Sequence, residues 1–242
     1  MDVRGNARPV GRKTYWLLAA LVTVSAALGA GCVFTDLVAY MLVPFVDDKV
    51  PPKCKEITSC DKEVTVVVAT SFDHLEQRPD YQWADRELSE RLVATLKGRF
   101  DTNHNKVKLV PAAKVHSYLS QSARGLDMHA LGKHFHADFV IALEIHRMEF
   151  FEVRSRDLFR GTASMTVTAL DVRKPRGEAT ILEEEYRSEY PKDNPIPAEG
   201  RGPGQFRTLF INQLAVDLSR WFAATPAEET RFGFGEQTPN WQ

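Results

Sequence analysis

Apolar positions change period several times along the chain, and each change marks an element. Val64, Val66, Val67 and Val68 form a continuous apolar run. Such a run predicts a strand buried on both faces. Leu88, Leu92, Val93, Leu96 and Phe100 recur at three- and four-residue spacing, which predicts an amphipathic helix over 84–99. Its outer face carries Arg86, Glu87, Glu90 and Arg91. Lys106 to Val110 reads as a second strand, and Pro111 opens a helix with Val115, Tyr118 and Leu119 turned inward. Asp127 is the expected cap of a short helix ending near Phe135.

Residues 138–147 predict a third strand. Over 158–171, Ala163, Met165, Val167 and Ala169 alternate with Thr162, Ser164, Thr166 and Thr168. That alternation predicts a strand with one buried and one hydroxyl-bearing face. A Lys174–Gly177 turn leads to another alternating strand over 179–190, where Glu183 and Glu185 share a face. A Pro/Gly-rich loop follows, then a helix over 205–224 with Phe206, Phe210, Leu214 and Leu218 at four-residue spacing. Residues 225–242 read as an irregular tail.

The predicted order is β-α-β-α-β-β-β-α, and the fold class is α/β (α+β). Alternating strands and helices imply parallel pairing in the first half. Short turns imply antiparallel pairing later. The expected product is a mixed sheet with helices mainly on one face, occupying residues 63–224. The threonine and glutamate stripes would lie on the opposite, wetter face.

Composition adds limits. Of the 242 residues, 43% are hydrophobic and 26% charged, as in chains that fold. The net charge of -1 includes no basic excess, so nucleic acid is not an expected partner. The charge is unevenly placed, however. Arg4, Arg8, Arg12 and Lys13 oppose only Asp2 in residues 1–31, and an uncharged apolar stretch runs from Tyr15 to Gly31. A basic head, an apolar middle and small exit residues predict a signal peptide over 1–31. The stretch is slightly short for a comfortable membrane span, which takes about 20 residues.

Leu28-Gly29-Ala30-Gly31-Cys32 resembles the lipobox of bacterial lipoproteins. The resemblance implies cleavage before Cys32 and lipidation of its thiol. Gly29 departs from the pattern, since an apolar residue is usual there. The competing reading is a retained signal anchor with Cys32 as an ordinary thiol. Residues 32–62 then form an anchor and N-terminal arm. The apolar segment 33–50 reads equally as a helix at the membrane interface or an arm in the core, and Pro51-Pro52 marks a boundary. Cys54 and Cys60 remain as a pair, and in an oxidising compartment a local disulfide is their expected use. A metal site and two free thiols are the alternatives.

The block from Val64 to Phe222 resembles a periplasmic α/β module of bacterial envelope proteins. These include the curli-secretion lipoprotein, lipoproteins that activate penicillin-binding proteins, and the amino-terminal domain of the Tol-system propeller protein. The matching segments are EVTVVVAT, ADRELSERLVATLKGRF, KVKLVPAAKVHSYL, LGKHFHADFVIALEIHR with its Ala137-Asp138 joint, and LFRGTASMTVTALDV. The likeness covers about two thirds of the chain. It implies a lipoprotein docking module and not a secretion channel, because no spare long strands exist for pore hairpins.

The chain contains no GxxxxGK[ST], GxSxG, HExxH or CxxC, and no cofactor is expected. Gly200-Arg201-Gly202-Pro203-Gly204 precedes a helix but follows a Pro-rich loop, so it reads as a connection. His129, His134 and His136 cluster, yet His129 and His134 fall about 140° apart on a helix and share no face. Asp73, His74 and Glu76 follow the first strand, where open α/β sheets place ligands. The expected function is a non-enzymatic envelope lipoprotein on the periplasmic side, held in the membrane through Cys32 and binding another envelope protein or itself. The alternatives are a signal-anchored enzyme using the Asp73/His74 loop, or a small-ligand or metal binder.

Overall fold

The computed structural model describes residues 49–72, 83–121, 127–155, 157–199 and 202–231. It opens with β1 (Lys49–Val50) and a 3-10 turn (Lys55–Ile57), then β2 (Val64–Phe72), α1 (Ala84–Thr102) and β3 (Val107–Leu109). Two helices follow, α2 (Ala112–Gln121) and α3 (Met128–His134). Then come β4 (Phe139–Phe151), β5 (Leu158–Asp171), β6 (Thr180–Tyr190), β7 (Ile196–Pro197), α4 (Pro203–Ser219), β8 (Thr225–Pro226) and α5 (Ala227–Arg231). The main sheet has the order β3-β2-β4-β5-β6, with β7 pairing β5. β2 is parallel to β3 and β4, while β4, β5 and β6 are antiparallel. This is the mixed α/β class expected from periodicity, and the expected series of main elements is present with the short β1, β7, β8 and α5 added.

The continuous apolar run of β2 serves two cores. Val66 and Val68 face a core filled by Leu88, Leu92 and Leu96 of α1 and Phe206, Phe210 and Leu214 of α4. Val67 and Ala69 face the other way, into a second core with Val115 of α2 and Leu131 of α3. Helices therefore cover both faces of the sheet at β2 and the start of β4. At β5 the predicted alternation holds: Ala163, Met165, Val167 and Ala169 are buried, and the hydroxyl residues between them are half-exposed.

Contact is tightest at two glycines. A methyl group on Gly161 would lie 2.4 Å from the Phe210 ring, so α4 rests directly on the β5 backbone. One on Gly132 would lie 2.4 Å from a Val172 methyl, setting how closely α3 approaches the β5–β6 turn. At the start of β4, Asp138 ties two strands together. Its amide donates to the Thr65 carbonyl at 2.8 Å, and its Oδ2 accepts from the Thr65 amide at 2.8 Å. Asp127 caps α3 as expected, accepting from the Ala130 amide at 3.0 Å.

The boundaries differ from the sequence reading at both ends. Pro52, Cys54 and Ile57 are buried, so the arm after Pro51-Pro52 belongs to the domain. Residues 225–231 are not irregular: Lys49 and Val50 pair antiparallel with Pro226 and Thr225, and α5 follows. Arg99 of α1 holds this closure. It donates to Ser219 Oγ at 2.8 Å, Thr225 Oγ1 at 3.0 Å and Glu229 Oε2 at 2.7 Å. A two-residue ladder between segments far apart in sequence leaves no local periodic signal, which is why the pattern missed it.

Candidate functional site on the open half of the sheet

α2 and α3 cover the second face only over β2 and the start of β4, leaving that face of β4–β6 open. The registers arrange it in cross-strand rows. Thr166 lies between Glu144 of β4 and Glu185 of β6. Ser164 lies between Arg147 and Arg187, and Thr162 between Glu149 and Glu189. A central line of hydroxyls is thus flanked by acidic, basic and acidic bands. Ion pairs link the bands along each outer strand: Arg147 with Glu149 at 2.9 Å, and Arg187 with Glu185 at 2.9 Å. A register shift between Ile145 and Arg147 brings Arg147 onto this face beside His146, whose Nε2 lies 2.8 Å from Thr166 Oγ1.

β6 forms the rim of this face. It pairs with β5 alone among the described residues, so its outer edge is free of strand partners. Glu184 points to the helix side and pairs with Lys53, whose ammonium sits 3.7 Å from the centre of the Trp221 ring. Glu189 pairs with Arg160, which also meets Glu152 at 2.5 Å. Glu183, opposite Thr168, makes no ion pair among the described residues. Tyr186 packs edge-on against Trp221 with ring centres 5.7 Å apart. Its hydroxyl pKa is raised by burial and then by the nearby Asp217 carboxylate, so it stays protonated.

The other sequence-selected residues fall elsewhere. Cys32, Asp73, His74, Glu76, Gly200 and Arg201 lie outside the described residues. Cys54 and Cys60 flank the 3-10 turn as free thiols, the first buried and the second half-buried. Burial, reinforced by Glu56, pushes the Cys54 thiol up to about 12. Cys60 Sγ donates to the Glu56 carbonyl at 3.4 Å, a contact that the expected bridge would have to break. The three histidines do not converge. His129 is buried, and neither ring nitrogen has a hydrogen-bond partner among the described residues. His134 is exposed and stacks on Tyr118 at 4.1 Å, while His136 is exposed at φ 49° just past the helix end. Among the described residues, no three His, Cys, Asp or Glu side chains gather as ligands for a metal ion.

One pair was not foreseen. Ser89 Oγ of α1 lies 2.6 Å from His116 Nε2 of α2. It resembles a nucleophile with its base, but Ser89 is fully buried and its hydroxyl donates to the Arg86 carbonyl at 2.9 Å. The hydroxyl oxygen bridges the α1 backbone and the α2 ring, and the pair acts as a tether between two helices. Burial lowers the His116 pKa, keeping the ring neutral. A serine beside Leu88 on the buried stripe of α1 was the available signal, since a buried hydroxyl needs a partner.

No family model matches the chain, and no curated protein matches it either. Solved structures are similar to it. The hypothetical protein CT253 of Chlamydia trachomatis is 17% identical, with a TM-score of 0.38 over 66% of this chain and 97% of that one. The PelC dodecamer of Paraburkholderia phytofirmans is 13% identical, with a TM-score of 0.39 over 72% and 95%. Lipoprotein GNA1162 of Neisseria meningitidis is 13% identical, with a TM-score of 0.36 over 63% and 99%.

Proposed function

We propose that this protein is an exported lipoprotein, held in the membrane by acylated Cys32, whose α/β domain is a non-enzymatic protein-binding module on the periplasmic side of the cell envelope. The carrying observation is the order of residues 1–32: a basic head, an uncharged apolar stretch, small residues and then a cysteine. Two or three acyl chains on that cysteine would make a stable anchor, at about 0.8 kcal/mol per buried methylene. Among the described residues, no helix is long and apolar enough to cross a membrane, so the proposed anchor falls to the segment before Lys49. What supports a binding role is the open half-sheet, with banded charges and a rim strand whose outer edge has no strand partner among the described residues. Cys54 and Cys60 join as a disulfide in this proposal once Cys60 turns from the Glu56 carbonyl, their two electrons and two protons passing to a disulfide-exchanging oxidant of the envelope compartment.

Metabolic labelling with an alkynyl palmitate analogue tests the anchor. Label is expected on the wild type and absent from Cys32→Ser. Equal labelling of both, or of neither, overturns the lipoprotein reading. Thiol alkylation of protein taken from intact envelopes, followed by mass spectrometry, tests the bridge: two alkylated cysteines at 54 and 60 would remove it.

A further inference from the structure

We infer that the outer edge of β6 is a strand-addition site for an extended cationic segment of a partner protein, with lysine or arginine at alternate positions. The inference rests on the protein-binding reading above and names its surface and its ligand chemistry. β6 runs for 11 residues without proline, and its outer backbone groups have no strand partner among the described residues. An edge of that length is a template for another strand. Its side chains then select which strand. β6 carries four glutamates and one arginine, Arg187.

A second copy of the same chain fits badly. Antiparallel pairing of β6 with itself must keep open-face residues opposite open-face residues, so the two-fold axis passes through a residue pair of like face. Centred on Glu183, Glu184 or Glu185, that residue meets its own copy. Centred on Tyr186, Glu183 meets Glu189; centred on Arg187, the two arginines meet. Each of these registers, the ones that pair seven or more residues of β6, sets like charges directly opposite, which is destabilising; the registers centred on Leu182 or Ser188 avoid that but pair only five residues. The same carboxylates favour a basic strand. Glu183 and Glu185 point to one face two residues apart, which is the side-chain period of an incoming strand. Glu183 makes no ion pair among the described residues, and Glu144 adds a further carboxylate on the same face, two strands in from Glu185. A Lys-x-Lys or Arg-x-Arg segment places its charges opposite Glu183 and Glu185, with its backbone completing the ladder.

The test uses the full-length protein in detergent micelles and three synthetic nine-residue peptides. One alternates Lys with Val and Thr, one replaces Lys by Glu, and one keeps the Lys residues but carries N-methyl groups at alternate backbone positions. Binding is measured by fluorescence anisotropy, and backbone protection over 180–190 by hydrogen exchange. The Lys peptide is expected to bind and to slow exchange in β6, with affinity falling as salt rises. The Glu peptide and the N-methylated peptide are expected to do neither. Glu183→Lys with Glu185→Lys should weaken Lys-peptide binding by about tenfold or more. These residues are exposed, so the variant keeps the fold, which is checked by its unchanged thermal midpoint. No protection over 180–190, equal binding by the N-methylated peptide, or a β6-to-β6 dimer seen by crosslinking overturns the inference. Cys32 labelling is read independently: its loss would overturn the lipoprotein reading without touching the β6 result. If β6 fails while photocrosslinks from Thr166 still reach an envelope protein, the binding-module reading stands and this site falls.

Discussion

The sheet has two halves built by different rules. At β2 and the start of β4, helices cover both faces, and Val66 and Val67 are both completely buried although they point in opposite directions. At β5 and β6, α4 covers one face only. There the second face carries hydroxyls opposite charges, held by cross-strand and same-strand polar contacts. The covered half takes mainly shape-matched apolar side chains, and its buried Thr70 is matched by a hydrogen bond to the Asp85 carbonyl. The open half tolerates change in chemistry, because water solvates whatever is placed there. Rigidity and freedom are thus divided along one sheet, and the open half ends in β6, whose outer edge has no strand partner among the described residues.

Phe210 bears the largest expected effect, because it meets the β5 backbone at Gly161 where no side chain intervenes. Phe210→Ala should cost about 3–5 kcal/mol in chemical unfolding. A loss under about 1 kcal/mol would mean that α4 does not anchor the open half. The next test exchanges the chemistry of the two halves. Val67→Thr places a hydroxyl in the second core and should cost about 1–3 kcal/mol. Its counterpart, Thr168→Val on the open face, should change stability by no more than about 0.5 kcal/mol. Equal losses would erase the distinction between the halves.

Acid should weaken the covered half in two stages, because Asp171 pairs with Phe139 at the start of β4. His116, in the helix that covers the first half, has a pKa below its ordinary 6.5 because burial disfavours its charged form. Its contribution is complete above 6.5 and is lost as pH falls through the lower folded value. Asp171, at the end of β5, has a pKa below its ordinary 3.8, chiefly through hydrogen bonds from Arg173. Its contribution is lost only in more acidic solution, below 3.8 and through its folded value. Unfolding free energy against pH should therefore decline in two stages. His116→Gln should remove the first stage and Asp171→Asn the second. A single stage, unchanged by His116→Gln, would show that α2 is not held through that ring.

Much of this layout was legible because local spacing reports local burial. The alternation over Thr162 to Ala169, the four-residue spacing of Phe206 to Leu218 and the cap at Asp127 each follow from the period of one element. The continuous valines of β2 announced two covered faces, although not which helices would cover them. The face of β4–β6 was legible as wet from its threonines, but its acidic, basic and acidic banding required the register between three strands. Other features had no local signature. The β1–β8 closure joins segments separated by about 175 residues through a two-residue ladder and Arg99. Ser89 and His116 meet only because α1 and α2 pack together.

Sequence alone therefore determined the class of fold, the order of its main elements and the basic, apolar and small-residue pattern that ends at Cys32, since each depends on residues close together in the chain. Tertiary structure decided that the arm at Cys54 and the segment at Thr225 close one domain, that the three histidines do not converge, and that the outer edge of β6 has no strand partner among the described residues. Those outcomes depend on which distant surfaces meet, and on how much of the sheet the helices are long enough to cover.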